Sequence, residues 1–194
     1  MNRIILTIIC MLTGFTSSCG SSEATDARSK VYFIREITPE NLVRIYDALE
    51  RPATGRVAVK LSTGEPGGHH FLQPALIAQL VQKVNGTIVE CNTAYGGGRA
   101  ATADHLKAAE AHGFTAIASV DIMDADGEVA LPVKNGKHLK EDIVGAHYLD
   151  YDFTMVLSHF KGHMMGGFGG ALKNVAIGVA SSYGKGIIHC NGKP

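Results

Sequence analysis

Apolar and polar positions along this chain switch repeatedly between a period of two and a period near 3.6. Residues 31–36, "VYFIRE", alternate and predict a strand. "TPENLVRIYDALE" follows with Thr38 as N-cap, Pro39 in the first turn, and Leu42, Ile45, Tyr46 and Leu49 at helical spacing. "RVAVKLS" (56–62) reads as a buried strand, and "QPALIAQLVQKV" carries one apolar helical face of Leu76, Ile77, Leu80, Val81 and Val84. "GTIVECN" predicts a strand and "RAATADHLKAAEAHG" an Ala-rich helix ended by Gly113. "FTAIASVD" predicts a further strand. "GEVALPVKNGKHLKEDIV" predicts a small β excursion turning at Asn135-Gly136. "FTMVLSHF" is an apolar strand whose carboxyl end opens into a glycine-rich loop, then a helix over "GGALKNVAIGVAS".

This alternation predicts an α/β fold with a mostly parallel sheet and helices on both faces, a Rossmann-like three-layer architecture. In such sheets ligands sit beyond the carboxyl ends of the strands. Three polar segments fall there: "STGEPGGHH", "NTAYGGGR" and "SHFKGHMMGGFGG".

The N-terminus has a different pattern. Asn2 and Arg3 precede an apolar run over 4–14, too short to span a bilayer, and small residues surround Cys19. This predicts a lipoprotein-type signal over 1–18, acylation of Cys19, and a polar tether over 19–30. Thr16 stands where a lipobox usually has Leu. The prediction places the chain at a bacterial cell envelope, anchored in the membrane by lipid. Plain secretion and an uncleaved anchor are the alternatives. Residues 31–194 then form a single α/β domain. It holds only Cys91 and Cys190, as one disulfide or as two separate thiols.

Composition narrows the function classes. The chain has 194 residues, 45% hydrophobic and 19% charged, as a globular domain requires. Its 18 basic and 18 acidic residues cancel, and no basic stripe marks a nucleic-acid partner.

The densest chemistry lies in "LSHFKGHMMGGFGGALKN" (157–174). His159, Lys161 and His163 offer bases, cations and metal ligands. Gly166, Gly167, Gly169 and Gly170 bare the backbone before a helix. Lys173 would sit in that helix's first turn against the macrodipole, which points to an anion or a covalent carbonyl partner, with Asn174 beside it. The bland alternative is a pair of solvated loop histidines. The segment lacks the Gly-Lys-Ser/Thr of a Walker loop.

Glu65, His69 and His70 form a second cluster, in which Glu65 and His69 with His163 are candidate metal ligands; a solvated loop is the alternative. "GGGRAA" (96–101) matches a dinucleotide fingerprint weakly, and Arg99 more simply suggests an anion contact. His105 and His112 share a helix face, where histidines more often cap or pack. "DIMDADGEV" lacks the full calcium-loop pattern.

"VKLSTGEPG", "NTAYGGGRAATADHLKAAEAHGF" and "VLSHFKGHMMGGFGGALKN" resemble, in order, the motifs of the family catalogued as domain of unknown function 362. The resemblance runs from about Val57 to the end. Members of that family often continue into four-cysteine runs for iron–sulfur clusters. This sequence ends at "HCNGKP" with no such run, so the resemblance implies a shortened C-terminus and leaves Cys190 as a single ligand, not a cluster site. "HMMGGFGGALK" is also similar to the histidine, glycine-rich and lysine segment of nickel-pincer lactate racemases. That likeness implies His163 as the base and Lys173 as the tether of a covalently held cofactor.

Together these readings predict a redox- or metal-associated enzyme acting on a small anionic substrate, oxidoreductase or racemase-like, with a redox partner among its implied contacts. Its cofactor would be a metal ion or a lysine-tethered group. The alternatives are a lipid-anchored protein that binds a small anion or metal without turnover, or an inactive remnant.

Overall fold

The structure, a computed structural model, describes residues 29–164 and 166–193. The expected signal, Cys19 and most of the tether lie outside the described residues.

Among the described residues eight strands form: β1 (Val57–Lys60), β2 (Gly86–Glu90), β3 (Val120–Ile122), β4 (Glu128–Pro132), β5 (Glu141–Gly145), β6 (Phe153–Val156), β7 (Lys161–His163) and β8 (Gly167–Gly169). Five helices accompany them: α1 (Pro39–Ala48), α2 (Pro74–Lys83), α3 (Thr102–Ala111), α4 (Ala171–Ala176) and α5 (Ser182–His189). The central sheet has the order β3-β2-β1-β6 with every pairing parallel, while β4–β5 and β7–β8 are antiparallel hairpins. The α/β fold class read from the alternation is therefore the observed one. No helix among the described residues is long and apolar enough to cross a membrane.

Local chemistry accounts for the element ends. Thr38 caps α1 by accepting the Asn41 N–H at 3.2 Å, and Pro39 occupies the first turn. Gly113 closes the turn after α3 with φ of 86°, a left-handed conformation that suits glycine. Asn135 turns the β4–β5 hairpin with φ of 59°.

All four residues of β1 are buried, so both sheet faces are covered. Val57, Val59, Ile88, Met155 and Leu157 meet Leu42, Tyr46, Ile77, Leu80 and Phe114 beneath α1, α2 and α3. Each such side chain contributes about 1.5–3 kcal/mol on leaving water. On the opposite face Ala58, Val89, Cys91 and Met123 pack against Val144 and Val179, with Val129 and Leu131 of the β4–β5 hairpin alongside. That hairpin thus does part of the covering that helices alone were expected to do.

Four local expectations are corrected. Residues 31–36 form no strand: Val31 and Phe33 are 89% and 71% exposed, and no strand pairs with them. Alternation alone cannot hold a strand without a neighbouring edge. "FTAIASVD" begins as a 3-10 turn, Phe114–Ala116, because Phe114 dives into the core before β3 starts. The glycine-rich stretch after β6 is the β7–β8 hairpin rather than a loop. The helix beyond it ends at Ala176, and α5 follows, capped by Ser181 accepting the Gly184 N–H at 2.9 Å.

The "DIMDADGEV" turn is structural. His147 places Nδ1 2.9 Å from Asp121 and Nε2 3.0 Å from Asp126, and the Tyr151 hydroxyl donates to Asp121 at 2.8 Å. The hydrogen bond to Asp121 raises the His147 pKa above its ordinary 6.5. A pKa raised on folding stabilises fully below the unfolded value and is lost as pH rises through the folded one. Stability should therefore decline as pH climbs above about 6.5. Urea unfolding at stepped pH should show this decline, and His147→Gln should flatten it.

Candidate functional site

The sheet order fixes where a crevice must open. The chain runs from β1 outward to β2 and β3, then returns to the other side of β1 as β6. The topological switch point therefore lies between the carboxyl ends of β1 and β6. A cavity of about 410 Å³ opens at the other end of the strands, beside Arg56, Gln82, Asn85 and Thr87. It gathers only one charged side chain, whereas the carboxyl ends gather many.

Lys60 is the last residue of β1 and is 2% exposed. Its ammonium donates to the Leu61 carbonyl at 2.6 Å and to Asn174 Oδ1 at 3.0 Å. Asn174 Nδ2 in turn donates to the carbonyls of Lys60 and Leu157 and to Ser158 Oγ, at 3.2, 3.1 and 3.0 Å. One amide thus spans the switch point from α4, joining the ends of β1 and β6. Gly178 makes room for it: a Cβ there would lie 2.6 Å from Lys60 Cε and 2.8 Å from Nζ, and would also strike the Asn174 carbonyl.

Glu90, the last residue of β2, is the neighbouring hub and is 2% exposed. Its carboxylate accepts from the Thr63 N–H at 2.7 Å and Arg99 Nη1 at 3.1 Å, and lies 2.5 Å from His105 Nε2. His105 Nδ1 lies 3.2 Å from Asn92 Oδ1, and Asn92 Nδ2 donates to Thr102 Oγ1 at 2.9 Å. Arg99 continues outward to Glu65, which also accepts from the Tyr95 hydroxyl at 2.9 Å. A hydrogen-bonded chain thereby runs from the surface to the interior.

Electrostatics follow from burial. Burial pushes the Glu90 carboxyl up, but the His105 hydrogen bond and the Lys60 and Arg99 charges overrule it and hold it at about 2. Burial pulls the Lys60 ammonium down to about 8 despite the attraction of Glu90. Lys185 of α5 is also lowered by burial and donates only to the carbonyls of Asn92 and Ala180, at 2.7 and 2.6 Å. Among the described residues neither lysine has a carboxylate within ion-pair distance. Arg99 leaves Nε without a partner.

A family profile described as "Domain of unknown function (DUF362)" matches residues 57–194. This chain belongs to that family. No curated protein and no solved structure matches it. The DUF362 match takes in every residue of both hubs, from Lys60 to Lys185.

The glycine-rich DUF362 segment lies beside the switch point. His159 lies three residues beyond the end of β6, and its Nδ1 is buried without a partner. Lys161 pairs in register with Gly169, and His163 with Gly167 at the hairpin end. His163 Nδ1 accepts the Gly166 N–H at 3.1 Å. Gly167 has φ of 72°, which the hairpin turn requires, and a Cβ on Gly169 would lie 3.2 Å from Lys173 Cδ. Gly170 starts α4 and packs against Phe160. Among the described candidates of this segment, Asn174 is thus the one hydrogen-bonded to the Lys60 hub.

The metal expectation at Glu65, His69 and His163 meets no supporting geometry. Among the described residues no three His, Cys, Asp or Glu side chains gather so as to hold an ion. Glu65 is committed to Arg99 and Tyr95, and His69 is exposed. A nickel-pincer group likewise finds no assembled ligand set beside His163 and Lys173 among the described residues. Cys91 and Cys190 are free thiols, and burial raises Cys91 to about 12.

Lys60, Glu90, Asn92 and Lys185 escape a motif-based reading. For Lys60 and Glu90 the signal is a charge ending an apolar run, "VAVK" and "TIVE", since such charges are seldom buried without a partner. His112, which donates to the Thr63 carbonyl at 2.7 Å and stacks on Phe71, packs as expected. Glu90→Gln should destabilise the fold by about 3–5 kcal/mol, because Arg99, Lys60 and His105 would lose the buried carboxylate they gather around. Denaturant titration checks this, with Thr63→Val, which leaves the carboxylate in place, as a milder comparison.

Proposed function

We propose that this DUF362 protein is an enzyme acting on a small anionic substrate at the switch point between β1 and β6. The observation that carries the reading is Lys60: a buried ammonium, held by a carbonyl and an amide, with its pKa lowered to about 8. Two acceptors leave one of its three N–H groups available. A substrate carboxylate or phosphate would supply the counter-charge this lysine lacks. A lysine poised near neutral pH also suits proton transfer.

In this reading the ligand reaches Lys60 by displacing Asn174, which moves with the short helix α4. His159 and His163 serve as bases at the crevice mouth, Lys161 and Lys173 attract the anion, and Gly166, Gly167, Gly169 and Gly170 let backbone approach it. Arg99 lines the neighbouring loop. The redox or metal-associated character expected of the enzyme remains part of this proposal. So does a lysine-tethered cofactor on Lys173, which would appear as a mass excess surviving denaturation. So do acylation at Cys19, residence at the bacterial cell envelope, and a redox partner.

A second reading is capture of the anion without turnover. It is favoured by Asn174 reaching over Lys60 from α4 to hold one of its N–H groups, as in a site that closes over a ligand. His163→Ala and Lys173→Ala separate the two: they lower turnover in the enzyme and affinity in the binder.

Calorimetric titration with inorganic phosphate and with lactate tests the shared core. At least one should bind, more tightly at pH 7 than at pH 9.5, because Lys60 is protonated only below about 8. Lys60→Met should weaken binding about tenfold or more, consistent with loss of a charge-assisted hydrogen bond of about 1.5–3 kcal/mol. Equal binding by Lys60→Met, or none by the native protein, would sink the proposal.

A further inference from the structure

The β7–β8 hairpin and the start of α4 carry a feature that the anion site does not use. Met164 is 102% exposed, Leu172 75%, Phe168 66% and Phe160 38%. Phe160 and Phe168 lie with ring centres 5.5 Å apart, tilted 38° to one another, so these two side chains form one apolar patch. Apolar side chains this exposed and this close together mark an interaction surface.

The charge around the strip selects the partner. The last acidic residue of the chain is Asp152; residues 153–194 hold four lysines, three histidines and no Asp or Glu. Lys161 and Lys173 flank the apolar strip itself. A second copy of this chain would bring the same lysines against one another, so self-docking is opposed by its own charge. An anionic bilayer fits both properties. Its acyl boundary takes Met, Phe and Leu side chains, while its headgroups take the ammonium ends of flexible lysines.

We infer that the β7–β8 hairpin, with Leu172 and Lys173 of α4, seats on an anionic lipid surface. The contact is peripheral: the apolar strip enters the headgroup and acyl boundary, and the lysines stay at the phosphates. It would bring the switch-point crevice to the membrane plane, because β7 follows β6 by four residues. The inference does not rest on acylation of Cys19 or on the proposed anion site.

The chain has no tryptophan, so Phe168→Trp gives one reporter in the strip whatever the rest of the full chain does. A thermal unfolding midpoint equal to the native protein's shows that the variant folds. On vesicles of mixed phosphatidylglycerol and phosphatidylcholine its emission should shift to the blue and be quenched by brominated acyl chains. On phosphatidylcholine alone the response should be much weaker, and salt should suppress it. Adding Lys161→Gln should lower apparent vesicle affinity about fivefold, as expected for one lysine near an anionic surface. Unchanged emission from vesicle-bound protein would overturn the inference. So would an equal response on both vesicle types, or a blue shift that grows with protein concentration in the absence of lipid.

Discussion

The carboxylate of Glu90 is the constraint on which the carboxyl end of this sheet depends. It is buried at the end of a central strand, where a lone charge would be prohibitively costly. Arg99, His105 and the Thr63 N–H satisfy it directly, and Lys60 acts on it through space. Each partner arrives from a different element: the loop after β1, the loop after β2, and α3. The carboxylate thereby sets where those loops run. Arg99, once pinned, draws in Glu65 and Tyr95, so the two loops close on one another. A Cβ on Gly98 would strike Pro66, which measures how close that closure is.

Beside this satisfied hub lies an unsatisfied one. Lys60 and Lys185 have only neutral oxygens as contacts. A fold selected for stability alone would favour an apolar residue of similar volume over a buried ammonium with a spare N–H. The contrast between a carboxylate with every need met and a lysine left short is what directs attention to the switch point. Topology adds an independent reason, since the sheet order puts the crevice at the same place.

Much of this fold was legible in the sequence because its signals are local. Thr38 and Pro39 announce α1, Asn135-Gly136 announces a hairpin, and the apolar runs of β1, β2 and β6 announce buried parallel strands. The failures share a cause. Residues 31–36 have the alternation of a strand but no partner edge, and pairing is not a local property. The hairpin at 161–169 reads as a loop because glycine is poor in strands, yet here bare backbone pairs across a tight turn. For the site, sequence pointed to the segment holding Asn174 and Lys173 through its density of His, Lys and Gly. It could not find Lys60 as a centre, because a single lysine closing "VAVK" carries no motif. What makes it a centre is the amide of residue 174, which is 114 positions away.

The central claim is that Lys60 is a buried ammonium lowered toward neutrality and open to an anionic counter-charge. It is tested most directly by following its ε-carbon resonance with pH in protein carrying ¹³C-labelled lysine, with Lys60→Met used to assign the signal. The account predicts a titration centred at about 8, well below the ordinary 10.5, that moves upward when inorganic phosphate or lactate is added. A midpoint at the ordinary lysine value, unmoved by either anion, would contradict it.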